Sequence, residues 1–396
     1  SPGGDGKVCM GAYESPDEYL PPPPPETKRL YVSKDGDNSD GLSWETAFHN
    51  IKSSVAVTTS VLNYDIWVSG GRYIEGSEVA IPVNVSLYGG FSGTETELIQ
   101  RDIKNNETII DGESKYRCVY NYGLLDGFSV TNGYNDYSYF GGGGIYNHSG
   151  NVNNCQIYRN YTYGWGAGVY NYLEGTINNC EIYDNWSDSN NSDGGGIYNW
   201  KAYVKNCIVH DNSVKDSGGG IFNNDGEIKK CIIYGNISIK QGGGVYNRHL
   251  VENCIIYNNY TEFWGGGISN DDGLVANCTI YNNIAKELGG GIMHRADYTD
   301  LINTIIWDNT NGDVFKVGDR HMILNSCFIE AKEENGNIRQ DPEFVNVSED
   351  PSTWDFRLKD GSPCIDAGTP EGAPETDIEG TKRPIGEGFD MGAYER

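Results

Sequence analysis

Gly194-Gly195-Gly196-Ile197-Tyr198-Asn199, followed shortly by Cys207-Ile208-Val209-His210-Asp211-Asn212, is the stretch on which the reading of the chain turns. Its first half returns as Gly144-Ile145-Tyr146-Asn147, Gly168-Val169-Tyr170-Asn171, Gly220-Ile221-Phe222-Asn223 and Gly244-Val245-Tyr246-Asn247. Weaker copies stand at Gly267-Ile268-Ser269-Asn270 and Gly291-Ile292-Met293-His294. Its second half, Cys-x-(Ile/Val)-(Tyr/His)-x-Asn, recurs at Cys155, Cys180, Cys207, Cys231, Cys254 and Cys278, with Phe128 and Thr304 in the outermost copies. The cysteines are 23 to 27 residues apart, too close for repeats built of paired helices.

Within each copy apolar and polar residues alternate over short runs separated by turn residues, the period of a strand with one buried face. Such a unit cannot bury that face alone and must stack on its neighbours, with coils about 4.8 Å apart. The expected fold is therefore all-β, a right-handed parallel β-helix. Cys155 and Ile157 point inward; Gln156 and Tyr158 point outward. Asn160, Asn185, Asn212, Asn236, Asn259, Asn283 and Asn309 form an amide ladder at a bend, each satisfying polar groups of the coil beside it. The glycine triplets fit a corner where φ is positive or where the next coil leaves no room for a Cβ.

Composition agrees with one elongated body: 53 Gly and 28 Tyr in 396 residues, but 4 Met. Lys and Arg number 29 against 56 Asp and Glu, a net charge of −27. That balance repels nucleic acid and anionic membrane surfaces. No apolar run reaches the length of a bilayer span, which excludes membrane insertion by a helix.

Residues 29–63 read as a cap: a strand at Leu30-Tyr31-Val32-Ser33, then an amphipathic helical pattern from Ser43, its N-cap, through Val61. Coils are expected over 64–345, about 50 Å in length, and a closing segment over 346–396. In the loop between strand and helix, Asp35, Asp37 and Ser39 have the alternate spacing of a Ca²⁺ loop. Asp40 stands where such a loop wants Gly, so an Asx-rich turn is the competing reading.

The ladder cysteines are expected as buried thiols, because parallel Cβ vectors at the coil spacing do not suit a disulfide. Of the many Asn-x-Ser/Thr sites, Asn190 is the loop position open to glycosylation. Tyr158, Tyr183, His210, Tyr234, Tyr257, Tyr281 and Trp307 form one outward stripe; Tyr146, Tyr170, Tyr198, Phe222 and Tyr246 form a second. Stacking on one another explains such stripes; a platform for sugar rings or a lateral contact between fibres is the sharper alternative.

The ends carry a resemblance. Tyr31-Val32-Ser33, Asp40 to Phe48, and Leu87 to Glu95 with Arg101-Asp102 look like the opening of bacterial right-handed β-helix surface proteins. The central coils are similar to polymorphic outer-membrane-protein repeats. Ser362-Pro363-Cys364-Ile365-Asp366-Ala367-Gly368, with Asp377, Arg383-Pro384 and Asp390-Met391-Gly392-Ala393-Tyr394-Glu395, resembles the segment called choice-of-anchor Q. The resemblance implies an exported or surface-displayed protein.

Val8-Cys9-Met10-Gly11-Ala12-Tyr13-Glu14 nearly repeats the C-terminal motif, and Pro21 to Pro25 form a stiff spacer after it. Residues 1–28 are read as a docking strand and linker: either a piece of a tandem array, or a segment that adds to the edge of another copy by β-augmentation, where Cys9 can pair covalently with Cys364 of the neighbour. The function expected is that of a non-catalytic extracellular structural or adhesive subunit whose partners are copies of itself, joined head to tail. Two alternatives stand beside it, a polysaccharide-binding module and a polysaccharide lyase. A lyase needs carboxylates for a cation and a base on one face. Asp184, Asp211 and His210 stack on adjacent coils, but the next equivalents are Gly235 and Asn258, and no Lys or Arg is expected at that offset. No cofactor is expected other than Ca²⁺.

Overall fold

The computed structural model describes residues 26–136, 141–295, 300–317 and 322–396. Val8 to Glu14, the anticipated docking strand, lie outside them.

The alternation of the repeat becomes a coil of four short strands, for example Ile145–His148, Asn151–Asn153, Gln156–Tyr158 and Tyr161–Thr162. Each strand pairs in parallel and in register with its counterpart one coil away. Taken in that order, the four sheets have ten, twelve, ten and seven strands. The result is the expected right-handed parallel β-solenoid. Its interior is one continuous column, mostly of aliphatic and thiol side chains with a few aromatic rings, from Leu30 to Ala331.

The Gly194-Gly195-Gly196 corner shows both reasons for glycine. Gly194 has φ +70°, and a Cβ on Gly196 would lie 2.7 Å from the Gly220 carbonyl oxygen of the next coil. The bend from the third to the fourth sheet carries the amide ladder. Asn185 Nδ2 donates to Asn212 Oδ1 (2.9 Å), and Asn212 Nδ2 to Asn236 Oδ1 (3.0 Å). A second ladder, Asn147–Asn171–Asn199–Asn223–Asn247, lies after the first sheet. Between the second and third sheets the chain turns through left-handed residues, Asn154, Asn179, Asn206, Asn253, Asn277 and Asn303, a conformation that Asn tolerates better than most side chains. The thiol of the following ladder cysteine points inward, and all nine cysteines among the described residues are buried free thiols.

Two expectations change at the N-terminus. The strand Thr27–Val32 pairs with Asn63–Ser69 as the first member of the twelve-stranded sheet, so stacking begins near residue 27 rather than 64. The helix is one short piece, Ile51–Ala56, whose N-cap is Asn50, accepting from Ser53 N, and not Ser43. Residues 43–49 form a loop instead. Trp44 packs against Tyr31 and Phe91 and donates Nε1–H to Glu95 O, and Phe48 makes a β-bridge to Val32.

The C-terminal segment is also placed differently. It does not close the end of the stack. Phe344–Asn346 pairs antiparallel with Asp355–Leu358, and the chain then runs back along the outside of the third sheet as a clasp. The left-handed corner of the later coils receives it. Lys230 Nζ donates to Thr376 Oγ1, Asn253 Nδ2 to Thr376 O, Asn303 Nδ2 to Thr369 O and Asn325 Nδ2 to Ala367 O, at 2.7–2.8 Å.

Candidate functional site

Each aromatic stripe arises because one outward position of a strand repeats in register. On the first sheet Tyr120, Tyr146, Tyr170, Tyr198, Phe222 and Tyr246 stack with ring centroids 4.5–5.1 Å apart and planes within 22°. On the third sheet Tyr158, Tyr183, His210, Tyr234 and Tyr257 do the same at 4.8–5.1 Å. A sugar ring binds an aromatic through its π face, and within these ladders the faces lie against one another. The first stripe is outward-pointing yet buried, with Tyr170 at 2 % exposure. Burial raises the Tyr146 and Tyr198 hydroxyls to about 12.

The far end of the third-sheet stripe is covered by the clasp. Tyr257 packs on Trp354 and Phe356, and Tyr281 packs on Phe344, Trp354 and Phe356. Trp307 lies against the same cluster. Of the seven stripe residues singled out in the sequence, Tyr158, Tyr183, His210 and Tyr234 remain clear of it. Tyr257, Tyr281 and Trp307 are corrected from open surface to clasp seat, because Trp354 and Phe356 cover apolar rings that would otherwise face water.

The clasp is fastened by the motif at its tip. Arg383 Nη1 and Glu395 Oε2 are 2.6 Å apart with both side chains fully buried. Arg383 also donates to the Gly392 and Asp390 carbonyls. Asp390 Oδ1 accepts from Asp366 N (2.8 Å), and Asp377 Oδ2 from Glu395 N (3.1 Å). Burial raises Asp390 to about 6. Gly392 N donates to Asn303 O, and Ala393 N to Thr279 Oγ1, so the tip rests on the side of the stack. The C-terminal motif is thus a lateral lock and not an edge strand. This removes the structural basis for reading its N-terminal copy as an edge-adding strand. Cys364 is fully buried, which corrects its assignment as the open partner of Cys9.

At the bend from the third to the fourth sheet, Arg159, Asp184, Asp211 and Trp186 line one shallow groove of about 490 Å³. Arg159 occupies, one coil earlier, the offset of Asp184 and Asp211, so the expectation that no cation accompanies these carboxylates was wrong. Its signal was available: Arg159 follows Tyr158 as Asp184 follows Tyr183. His210 is held rather than free. Nδ1 lies 2.8 Å from Asp211 Oδ2, Nε2 lies 3.3 Å from Glu181 Oε1, and the ring is stacked between Tyr183 and Tyr234.

A larger groove of about 630 Å³, lined by Glu78, Tyr116, Arg117 and Tyr134 among others, was not anticipated. Arg117 is committed there, donating to the Gly141 and Gly142 carbonyls and pairing with Glu78 at 3.2 Å. Tyr116 is 39 % exposed. Its signal was weak, since Tyr116 stands outside the repeat.

Asp35, Asp37 and Ser39 lie exposed in their loop. Asp37 Oδ1 accepts from both the backbone N–H and the hydroxyl of Ser39, the bonding of an Asx turn. Among the described residues no group of three or more His, Cys, Asp or Glu side chains gathers as a metal site. Asn190 is exposed in a turn, whereas Asn147, Asn160, Asn185, Asn236 and Asn259 are fully buried in the ladders. No helix among the described residues is long and apolar enough to cross a membrane.

The molecule is a parallel β-solenoid with a lateral C-terminal clasp. Among solved structures it is similar to pectate lyase Pel9A, with a TM-score of 0.56 and 17 % identity over 94 % of this chain and 98 % of that one. Pectin methylesterase from Aspergillus niger aligns at a TM-score of 0.29 and 12 % identity, over 82 % of this chain and 94 % of that one. No family model and no curated protein matches the chain. At these identities the likeness is one of fold.

Proposed function

We propose that the chain is a non-catalytic extracellular subunit of a structural or adhesive β-helix array, whose copies join head to tail. The observation that carries this reading is where the distinctive side chains go. The Asn, Cys and Gly of each repeat hold the coils, the tyrosine faces hold one another, and the C-terminal motif fastens the clasp. The surface resemblance of the repeats and closing segment to exported bacterial β-helix proteins supports the same reading.

The joint runs through residues 8–14. Because Met391-Gly392-Ala393 sits on the flank of the stack, the matching Met10-Gly11-Ala12 is suited to a lateral seat on a neighbouring copy rather than to its last strand. Electron microscopy and light scattering of the full chain against a variant lacking residues 1–20 test this. Filaments or concentration-dependent oligomers of the full chain that disappear in the variant are expected; equal, monomeric behaviour of both refutes the joint.

A second reading, polysaccharide binding, is favoured by the groove beside Tyr116 and Tyr134, whose rings lie outside the two long ladders. Glycan retention lost on Tyr116→Ala, without depolymerisation, would select it. Release of unsaturated uronides that stops on Asp211→Asn would replace both readings with a lyase.

A further inference from the structure

Of the three described cysteines outside the coil ladder, Cys118, Cys327 and Cys364, the last two meet across the seam between stack and clasp. After Cys278 the ladder position passes to Thr304 and then to Ser326, each hydroxyl accepting from the backbone N–H of the residue before it in the column. Cys327 is therefore one position out of phase. It bridges to Ile305, a member of the outward row Ile255–Thr279–Ile305 that the clasp buries. Period-2 alternation turns its side chain away from the interior and toward the clasp.

Cys364 comes from the other side. Its carbonyl accepts from Met391 N at 3.0 Å, and its own N–H donates to Ser362 Oγ, so it is tied to the tip of the clasp. Both side chains are fully buried in the one cluster that joins the last coils to the clasp, where Cys327 Sγ donates to the Gln340 carbonyl at 3.1 Å. The ladder cysteines differ in kind. They rise from neighbouring strands of one sheet with parallel Cβ vectors, whereas Cys327 and Cys364 approach from opposed surfaces, the convergence a disulfide requires.

We propose that Cys327 and Cys364 form a disulfide that locks the clasp to the last coils when the chain folds in the presence of a small-molecule disulfide such as oxidised glutathione. The Cys364 thiolate attacks one sulfur of the oxidant and displaces one thiolate. The Cys327 thiolate then attacks the Cys364 sulfur of the mixed disulfide and displaces the second. Two protein thiols are oxidised, one disulfide is reduced to two thiols, and the two protein protons pass to them. Interaction with Cys327 and burial raise the Cys364 pKa, so the docked Cys364 thiol is protonated and unreactive. Attack of Cys364 on the oxidant therefore belongs to the open clasp, and attack of Cys327 on the mixed disulfide to the moment of docking.

The test uses the full chain refolded from the reduced state with glutathione disulfide, then denatured and alkylated without reduction. Alkylation of two fewer than the ten cysteines is expected, with a non-reducing digest yielding a peptide that joins Cys327 to Cys364. Hydrogen exchange at the Met391 amide should slow at least about tenfold relative to the reduced protein. Cys327→Ser and Cys364→Ser should each alkylate at every remaining cysteine and lose that slowing while the coil spectrum is kept. Alkylation of all ten in protein whose Met391 amide is protected, or a link from Cys364 to Cys9 or among the ladder cysteines, would overturn the proposal.

Discussion

Asn212→Ala isolates one rung of the buried amide ladder. Asn212 Nδ2 donates to Ile182 O (2.9 Å), His210 O (2.8 Å) and Asn236 Oδ1 (3.0 Å), and its Oδ1 accepts from Asn185 N (3.1 Å) and Asn185 Nδ2 (2.9 Å). Removing the amide leaves the Asn185 backbone N–H without an acceptor and the Ile182 and His210 carbonyls short of a donor, with Ile182, Asn185 and Asn212 all at 0 % exposure. The Asn185 side chain keeps the Ile157 and Tyr183 carbonyls. One orphaned buried donor at about 1–3 kcal/mol, with two under-satisfied carbonyls and a small void, gives a loss of about 3–5 kcal/mol. Urea titration followed by circular dichroism reads it as a lower midpoint at an unchanged slope. Asn151→Ala, at an exposed position of the second sheet, should change stability by less than about 0.5 kcal/mol. Asn212→Asp separates the two roles: the carboxylate still accepts from Asn185 but repels the two carbonyls, so it should be worse than Ala at neutral pH and recover on acidification. A loss below about 1 kcal/mol for Asn212→Ala would refute the ladder as a source of stability.

Arg383→Met should release the clasp while the coils persist. It leaves Glu395 buried beside Asp377 and Asp390 without its cation, a change of about 3–5 kcal/mol, read as rapid proteolysis after residue 343 with an unaltered far-ultraviolet spectrum. Burial raises Asp193 to about 7 and both Asp313 and Asp390 to about 6, against about 3.9 unfolded. The folded state therefore binds more protons between pH 4 and 7, and stability should rise as pH falls through that window; a Tm lower at pH 5.5 than at pH 8 counts against these assignments. Deleting residues 208–231 removes one coil, because Ile208 registers with Ile232, and should leave a soluble, shorter solenoid by small-angle scattering. Insoluble product would argue against independent coils.

The repeat was legible because each inward position recurs in register, so Cys207, Val209 and Asn212 announce their places through their equivalents alone. Where recurrence stops, local pattern misleads. Trp44, Ala47, Phe48 and Ile51 have helical spacing, yet contacts with Tyr31, Phe91 and Val32 hold the first three in a loop. The clasp has no period, and nothing in Trp354 or Phe356 says that their partners are Tyr257 and Tyr281 rather than the end of the stack. The grooves escaped for the same reason: Tyr116 and Arg159 acquire neighbours only through the pitch of the coil. Arg159 could have been found by extending the offset of Asp184 one coil backward.

The clasp also fixes where a tug would be felt. A pull on Arg396 does not peel the stack from its last strand. It enters through Ala393 on Thr279 and Gly392 on Asn303, and through Asn253 and Lys230 beyond them. The load path therefore joins the solenoid several coils before its end, and the strands around Met322–Leu324 hang outside it like the free end of a belt beyond its buckle.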